Sequence, residues 1–229
     1  MISDPIIYFY HKFGFDPSSI KELVHGAKYV GILLQNGQIG VCVTIGRQLS
    51  GEIPKEINLN NIEHRIILNA YFNAKLNYSI EYKGEMDICE AVDFKQFQNI
   101  VMVGNFKSIV KRFKQSDIPF TVFDKEEDDL PFTPMKKQLD YIKKADAIIL
   151  TGTSIYNATF EELLRNSNTN CNIFLLGPSC ILHPDIKVFR NVKGVFGSVF
   201  ERNDNRVLET IKLGFGTKHF SQFSRKVYI

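Results

Sequence analysis

The residues best placed to do chemistry lie in the stretch ADAIILTGTSIYNATFEELL, residues 145–164. An apolar run stops at Thr151-Gly152-Thr153, and Ser154 and Asn157 follow before an apolar pattern resumes. Gly152 permits a sharp turn or a close backbone approach, and the short hydroxyl and amide groups around it can bond a small polar ligand. Thr159 and Glu162 have the T-x-x-E spacing of a capping box, which predicts that they start the next helix. Connections of this kind take about 2–6 residues, so the polar residues from Thr151 to Asn157 are in surplus and read as one wall of a ligand pocket.

Three other apolar runs end in comparable groups. NIVMVG ends at Gly104 and Asn105, which turn the chain straight into a helix whose free N–H groups suit an anion or a polar edge. FTVFD ends at Asp124, about twenty residues after the first turn, where nucleotide-binding sheets place a carboxylate for ribose hydroxyls; it opens the acidic, solvated run DKEEDD. NIFLLG stops at Gly177-Pro178, and Ser179, Cys180 and His183 follow. Cys180 and His183 could ligate a soft metal or pair as nucleophile and base, although two ligands do not define a site and a packing cysteine is the simpler reading. Asp124 and His183 are the candidates for a general base.

Several classes are disfavoured. No G-x-G-x-x-G loop follows a strand, and the acidic glycine-rich loop of methyltransferases is missing, so NAD, FAD and S-adenosylmethionine are not supported. There is no nucleophile elbow, Walker loop or His-Glu-x-x-His helix. The net charge of +3, from 28 basic and 25 acidic residues among 229, gives little attraction to nucleic acid or an acidic membrane. The basic cluster KSIVKRFK has the spacing of a helix with one buried stripe and a solvated face. Four scattered cysteines form no C-x-x-C pair. The start lacks the pattern of a signal peptide, and no run reaches the roughly 18 apolar residues of a membrane span. A cytoplasmic protein with free thiols is expected, and exposed edge strands would make a homodimer unsurprising.

The elements that must position these residues change rhythm along the chain. The first half predicts helices over Asp4 to Phe13 and Pro17 to Ala27. It then predicts strands over Tyr29 to Gln35 and Ile39 to Ile45, joined by the hairpin signal Asn36-Gly37, and a helix through Ile62, Ile66, Ala70 and Leu76. This is a small α+β unit, set at residues 1–90 with the boundary between Tyr82 and Gln98. Residues 91–229 alternate continuous apolar strands with helices: Phe106 to Gln115, Thr133 to Lys144, one from Thr159, and Asn205 to Leu213. That pattern predicts a parallel sheet of five strands, Rossmann-like, buried on both faces.

VGNF, ADAIILTGTSIYNATFEELL, LLGPS with Pro184 after it, GVFGSV and GFGTKHF resemble, in order and spacing, the putative heavy-metal chelation family. The hairpin VGILLQNGQIGVCVTI and the helix containing Asn69-Ala70 resemble its leading domain more weakly. The resemblance implies an enolase N-terminal-like domain packed on a Rossmann-like domain, with the site in the cleft between them. It implies a role in handling metal-chelating molecules, or in condensing or hydrolysing pterin-, flavin- or siderophore-like precursors. The implied cleft takes Asn69 from the first domain with Gly104, Asn105, Thr151, Gly152, Thr153, Asn157, Gly177 and Ser179 as contacts to a small polar molecule or metal chelate. The alternative is a non-enzymatic module binding a metal ion or its chelate through Cys180 and His183. A nucleotide or S-adenosylmethionine-dependent transferase is a third reading, resting on sheet type alone. Two departures stand out: Ala158 where the family usually has glycine, and Cys180-Ile181 where Thr-Pro is common.

Overall fold

The computed structural model describes residues 4–124 and 133–229; most of the acidic run after Asp124 and the first three residues lie outside the described residues. The chain enters through α1 (Pro5–Phe13), whose start is capped by Asp4, the carboxylate accepting the Ile7 N–H at 3.2 Å. Three antiparallel strands follow: β1 (Ile20–His25), β2 (Tyr29–Leu34) and β3 (Ile39–Val43). The β2–β3 hairpin turns at Asn36-Gly37 as expected.

The helix expected over Pro17 to Ala27 is replaced by one 3₁₀ turn, Pro17–Ser19, and by β1. Asp16 caps that turn through the Ser18 N–H, which imitates a helix start. Ile20 and Val24, the buried residues of β1, are four apart, a spacing that a helix and a strand both satisfy. Pairing with β2 decides for the strand.

Helix α2 (Ile62–Leu76) crosses behind this sheet. The elements then run α3 (Ile88–Ala91), β4 (Ile100–Val103), α4 (Lys107–Gln115), β5 (Phe120–Phe123), α5 (Gln138–Lys144) and β6 (Ala147–Thr151). They continue with α6 (Thr153–Tyr156), α7 (Phe160–Asn166), β7 (Asn172–Leu176), β8 (Val192–Phe200), α8 (Asn205–Lys212), α9 (Thr217–Phe220) and β9 (Ser224–Tyr228). The second sheet has the order β5-β4-β6-β7-β8-β9. Its first five strands are parallel, the mixed α/β architecture expected. The sixth, β9, lies antiparallel on β8 and was not foreseen.

Each sheet is covered on both sides. In the parallel sheet, Ile148, Leu150, Ile173 and Leu175 pack toward α1, α2 and α7, and the alternate residues Ile149, Met102 and Phe174 pack toward α4. In the three-stranded sheet, Val30 and Ile32 face α2, while Leu33 and Val41 meet Val207, Leu208 and Ile211 of α8. Helix α2 is therefore packed between the two sheets, and every residue from Arg65 to Ala74 is buried. No helix among the described residues is long and apolar enough to cross a membrane.

Candidate functional site

Strands β5 and β6 leave β4 on opposite sides, so the sheet order reverses between β4 and β6. Ligands in open parallel sheets bind at the carboxyl ends of the strands at such a point. A cleft of 660 Å³ opens there, within the range of about 300–1,000 Å³ usual for small-molecule sites. Gly104 and Asn105 enter it from the end of β4, and Asp124 from the end of β5. Thr151, Gly152, Thr153 and Asn157 come from the end of β6, and Gly177 and Ser179 from that of β7. Tyr29, Val43 and Ile45 of the three-stranded sheet supply the facing wall.

Three residues named from the sequence do not line this cleft. Asn69 is wholly buried behind it, its side-chain nitrogen donating to the Ser179 carbonyl at 2.8 Å and approaching Cys42 Sγ at 3.4 Å. Cys180 is sealed in the core, and burial pushes its thiol pKa up, with Cys42 adding to the rise. His183 lies against α1, its ring 5.0 Å from Phe13 and 5.9 Å from Phe9, with Nδ1 accepting the Asp185 N–H at 3.2 Å. Among the described residues no three of His, Cys, Asp or Glu are grouped to hold a metal ion.

The loop after β6 is tighter than its sequence suggested. Thr153 to Tyr156 form one helical turn, α6, and its polar groups largely bond one another. The Thr151 Oγ1 pairs with the Thr153 Oγ1 at 3.2 Å, and the Ser154 hydroxyl donates to the Thr151 carbonyl at 2.8 Å. The expected capping box is not formed: Thr159 makes no side-chain cap, and instead its N–H and hydroxyl donate to Asn157 Oδ1 at 3.1 and 2.7 Å. An Asx-type turn has taken the place of the cap. Gly152 is required by close approach, since a Cβ there would stand 2.8 Å from both the nitrogen and the sulfur of Cys180.

What holds the rim is a stripe of polar residues at every fourth position along α2 and at its C-cap. Arg65 donates to the Tyr156 carbonyl at 2.5 Å and to Asp4 at 2.6 Å. Asn69 holds Ser179, and Asn73 bridges the carbonyls of Val41 and Pro178 at 2.9 and 3.2 Å. Asn77 donates to the Cys180 carbonyl at 3.2 Å and accepts the Leu182 N–H at 2.7 Å. The bonds to Pro178, Ser179, Cys180 and Leu182 satisfy backbone groups of the irregular segment after β7. From the other side, the Val43 N–H donates to the Ser179 hydroxyl at 3.0 Å and ties β3 to the same segment.

The helix starts divide into two groups. Asp4, Asn61, Asp87 and Asp204 cap α1, α2, α3 and α8 with their side chains. The remaining helices, α4, α5, α6, α7 and α9, have no side-chain cap. Lys107, Gln138, Thr153 and Thr217, which begin α4, α5, α6 and α9, and Thr159, which precedes α7, line the cleft. Of these helices only α4, with nine residues, is longer than two turns; α6 and α9 are single turns, and the Thr153 and Thr159 N–H groups are already bonded to Thr151 Oγ1 and Asn157 Oδ1.

The sequence did not point to Tyr29, Ile45, Met86, Thr217 or Lys226, all of which reach the cleft. Lys226 belongs to β9, and the short alternation in SRKVYI was its only local sign. It pairs with Asp87 at 3.3 Å.

Residues 87–229 match a family described as putative heavy-metal chelation. The crystal structure of a protein of unknown function from Pyrococcus horikoshii superposes with a TM-score of 0.82 at 21% identity, covering 100% of this chain and 99% of that one. Another, from Desulfitobacterium hafniense, gives 0.72 at 18% identity and covers 98% of this chain and 97% of that one. Both are assigned to the same family, and at these identities the likeness carries the fold alone. No curated protein matches the chain.

Proposed function

Because the chain belongs to the DUF364 family, described as putative heavy-metal chelation, we propose that it handles a small metal-chelating molecule in the cleft between β4 and β6. In this reading it is an enzyme of metal-chelator metabolism, acting on a metallophore or on a pterin- or flavin-like molecule. The observation that carries the reading is the cleft itself, set at the carboxyl ends of the strands where the sheet order reverses and lined by Thr151, Thr153, Asn157 and Ser179. Such a surface donates hydrogen bonds, which suits the carboxylates and carbonyls of a chelator.

The described residues do not fit a resident metal, because Cys180 is sealed and His183 lies on another face. A metal would enter this cleft as part of the ligand. Of the two carboxylates that the described residues bring to the lining, Asp87 is paired with Lys226 and Asp124, just past the end of β5, is the one to test for proton transfer; His183 does not line the cleft.

Equilibrium dialysis against ferric citrate and against zinc chloride tests the reading. The account expects the protein to retain iron and citrate together and to lose them in Ser198→Trp, in which a residue of β8 in the cleft lining is enlarged to fill the cavity. Stoichiometric zinc retained equally by Ser198→Trp would favour a binding module with its metal elsewhere.

A further inference from the structure

Three apolar side chains that line the cleft are exposed. Ile45 follows β3, Met86 precedes α3 and Met135 precedes α5, and they are 40%, 47% and 37% exposed. Single exposed apolar residues are ordinary. Three from segments remote in sequence, in the lining of one cavity, mark a surface meant to be covered.

Ile45 is also held in a conformation that its side chain opposes. Its φ is 52°, that of Gly46 is 67°, and the turn closes with the Arg47 N–H donating to the Thr44 carbonyl at 3.3 Å. Positive φ at both central residues is the pattern of a type I′ turn, which favours Asn-Gly. A β-branched residue there is a genuine outlier. Three of the other four non-glycine residues with positive φ, Asp117, Asn191 and Asn203, are the types that tolerate it. Backbone strain of this kind persists where the side chain is needed for something other than the turn.

We propose that Ile45 is a specificity-determining residue that, with Met86 and Met135, grips a flat apolar portion of the ligand, so that the cleft binds an aromatic carboxylate more tightly than a small monocarboxylate without a ring. The proposal rests on the cleft being the ligand site. Its carboxylate would meet the Thr151, Thr153 and Ser179 hydroxyls, and its ring would lie between the isoleucine and the two thioethers, which adapt to flat surfaces. The cavity offers both kinds of contact, since its lining combines these hydroxyls with the three exposed apolar side chains.

The probe is 2-naphthoate, with binding read by isothermal titration calorimetry so that every variant is measured alike, and acetate is the polar control. Ile45→Asn suits the turn, so its Tm is expected to rise by about 2–4 °C, which shows that the variant folds. Its Kd for 2-naphthoate is expected to rise about fivefold or more, with acetate unaffected; a smaller change overturns the proposal. If Ser198→Trp abolishes naphthoate binding while Ile45→Asn spares it, the cleft stands as the ligand site and the role of its apolar side chains falls. If neither variant weakens binding, both readings fall. A wild-type protein that ignores 2-naphthoate overturns the aromatic preference, while citrate retention still reports on the cleft.

Discussion

Replacing Asn69 with alanine separates a residue that builds the cleft wall from one that contacts the ligand. Asn69 is wholly buried, and its side-chain nitrogen donates to the Ser179 carbonyl at 2.8 Å. Removing that donor leaves a buried carbonyl without its partner, which costs about 1–3 kcal/mol. The volume vacated by the amide adds about 1 kcal/mol. One contribution runs the other way, because Asn69 Oδ1 is itself buried without a hydrogen bond and its removal ends that cost. The balance is a loss of about 2 kcal/mol, which for a chain of this length lowers Tm by roughly 4–8 °C. Calorimetry on wild type and Asn69→Ala, each with and without 2-naphthoate, reads both quantities. A Tm within about 1 °C of wild type, combined with lost naphthoate binding, would refute the wall role and return Asn69 to the ligand contacts.

Other expectations follow from single features. Ala158 has a φ of 62° and is exposed, so Ala158→Gly should remove left-handed strain and stabilise the fold by about 1 kcal/mol; urea midpoints compared at equal m check this. Burial holds Cys42 and Cys171 up to about 12 and Cys180 higher still, and Cys89, raised to about 11 by burial and by Asp87, is the one partly exposed thiol. Iodoacetamide mapping of the native protein should therefore label Cys89 alone. Burial also holds His183 below the ordinary imidazole value of 6.5, with Asp185 opposing that shift and Lys12 adding to it. The folded chain then binds fewer protons there than the unfolded chain, so stability falls as pH drops below about 6.5. His183→Gln should flatten that slope between about pH 5 and 7, as seen in urea titrations across the range.

The strand ends of the parallel sheet were legible in the sequence because continuous apolar runs stop abruptly at Gly104, Thr151 and Gly177, and local turn chemistry is enough to place them. What lay hidden depended on partners far along the chain. The stripe Arg65, Asn69, Asn73 and Asn77 lies along a helix and its C-cap that are buried between the sheets, so no solvated face marked it as special, and its targets at Tyr156 and from Pro178 to Leu182 lie far along the chain. Strand β1 carried a spacing that suits either period, and only pairing with β2 selected the strand. Ile45 could not be recognised because its importance lies in its backbone angle, which its residue type argues against. The T-x-x-E signal at Thr159 failed because Asn157, two residues earlier, competes for the same hydroxyl and N–H.

Native mass spectrometry of the protein purified without added metal, compared with the denatured chain and with Ser198→Trp, tests the central claim most directly. The account predicts an organic mass, with or without a metal, that is released on denaturation and missing from the cleft-filled variant. A bare transition-metal mass retained by Ser198→Trp would contradict it.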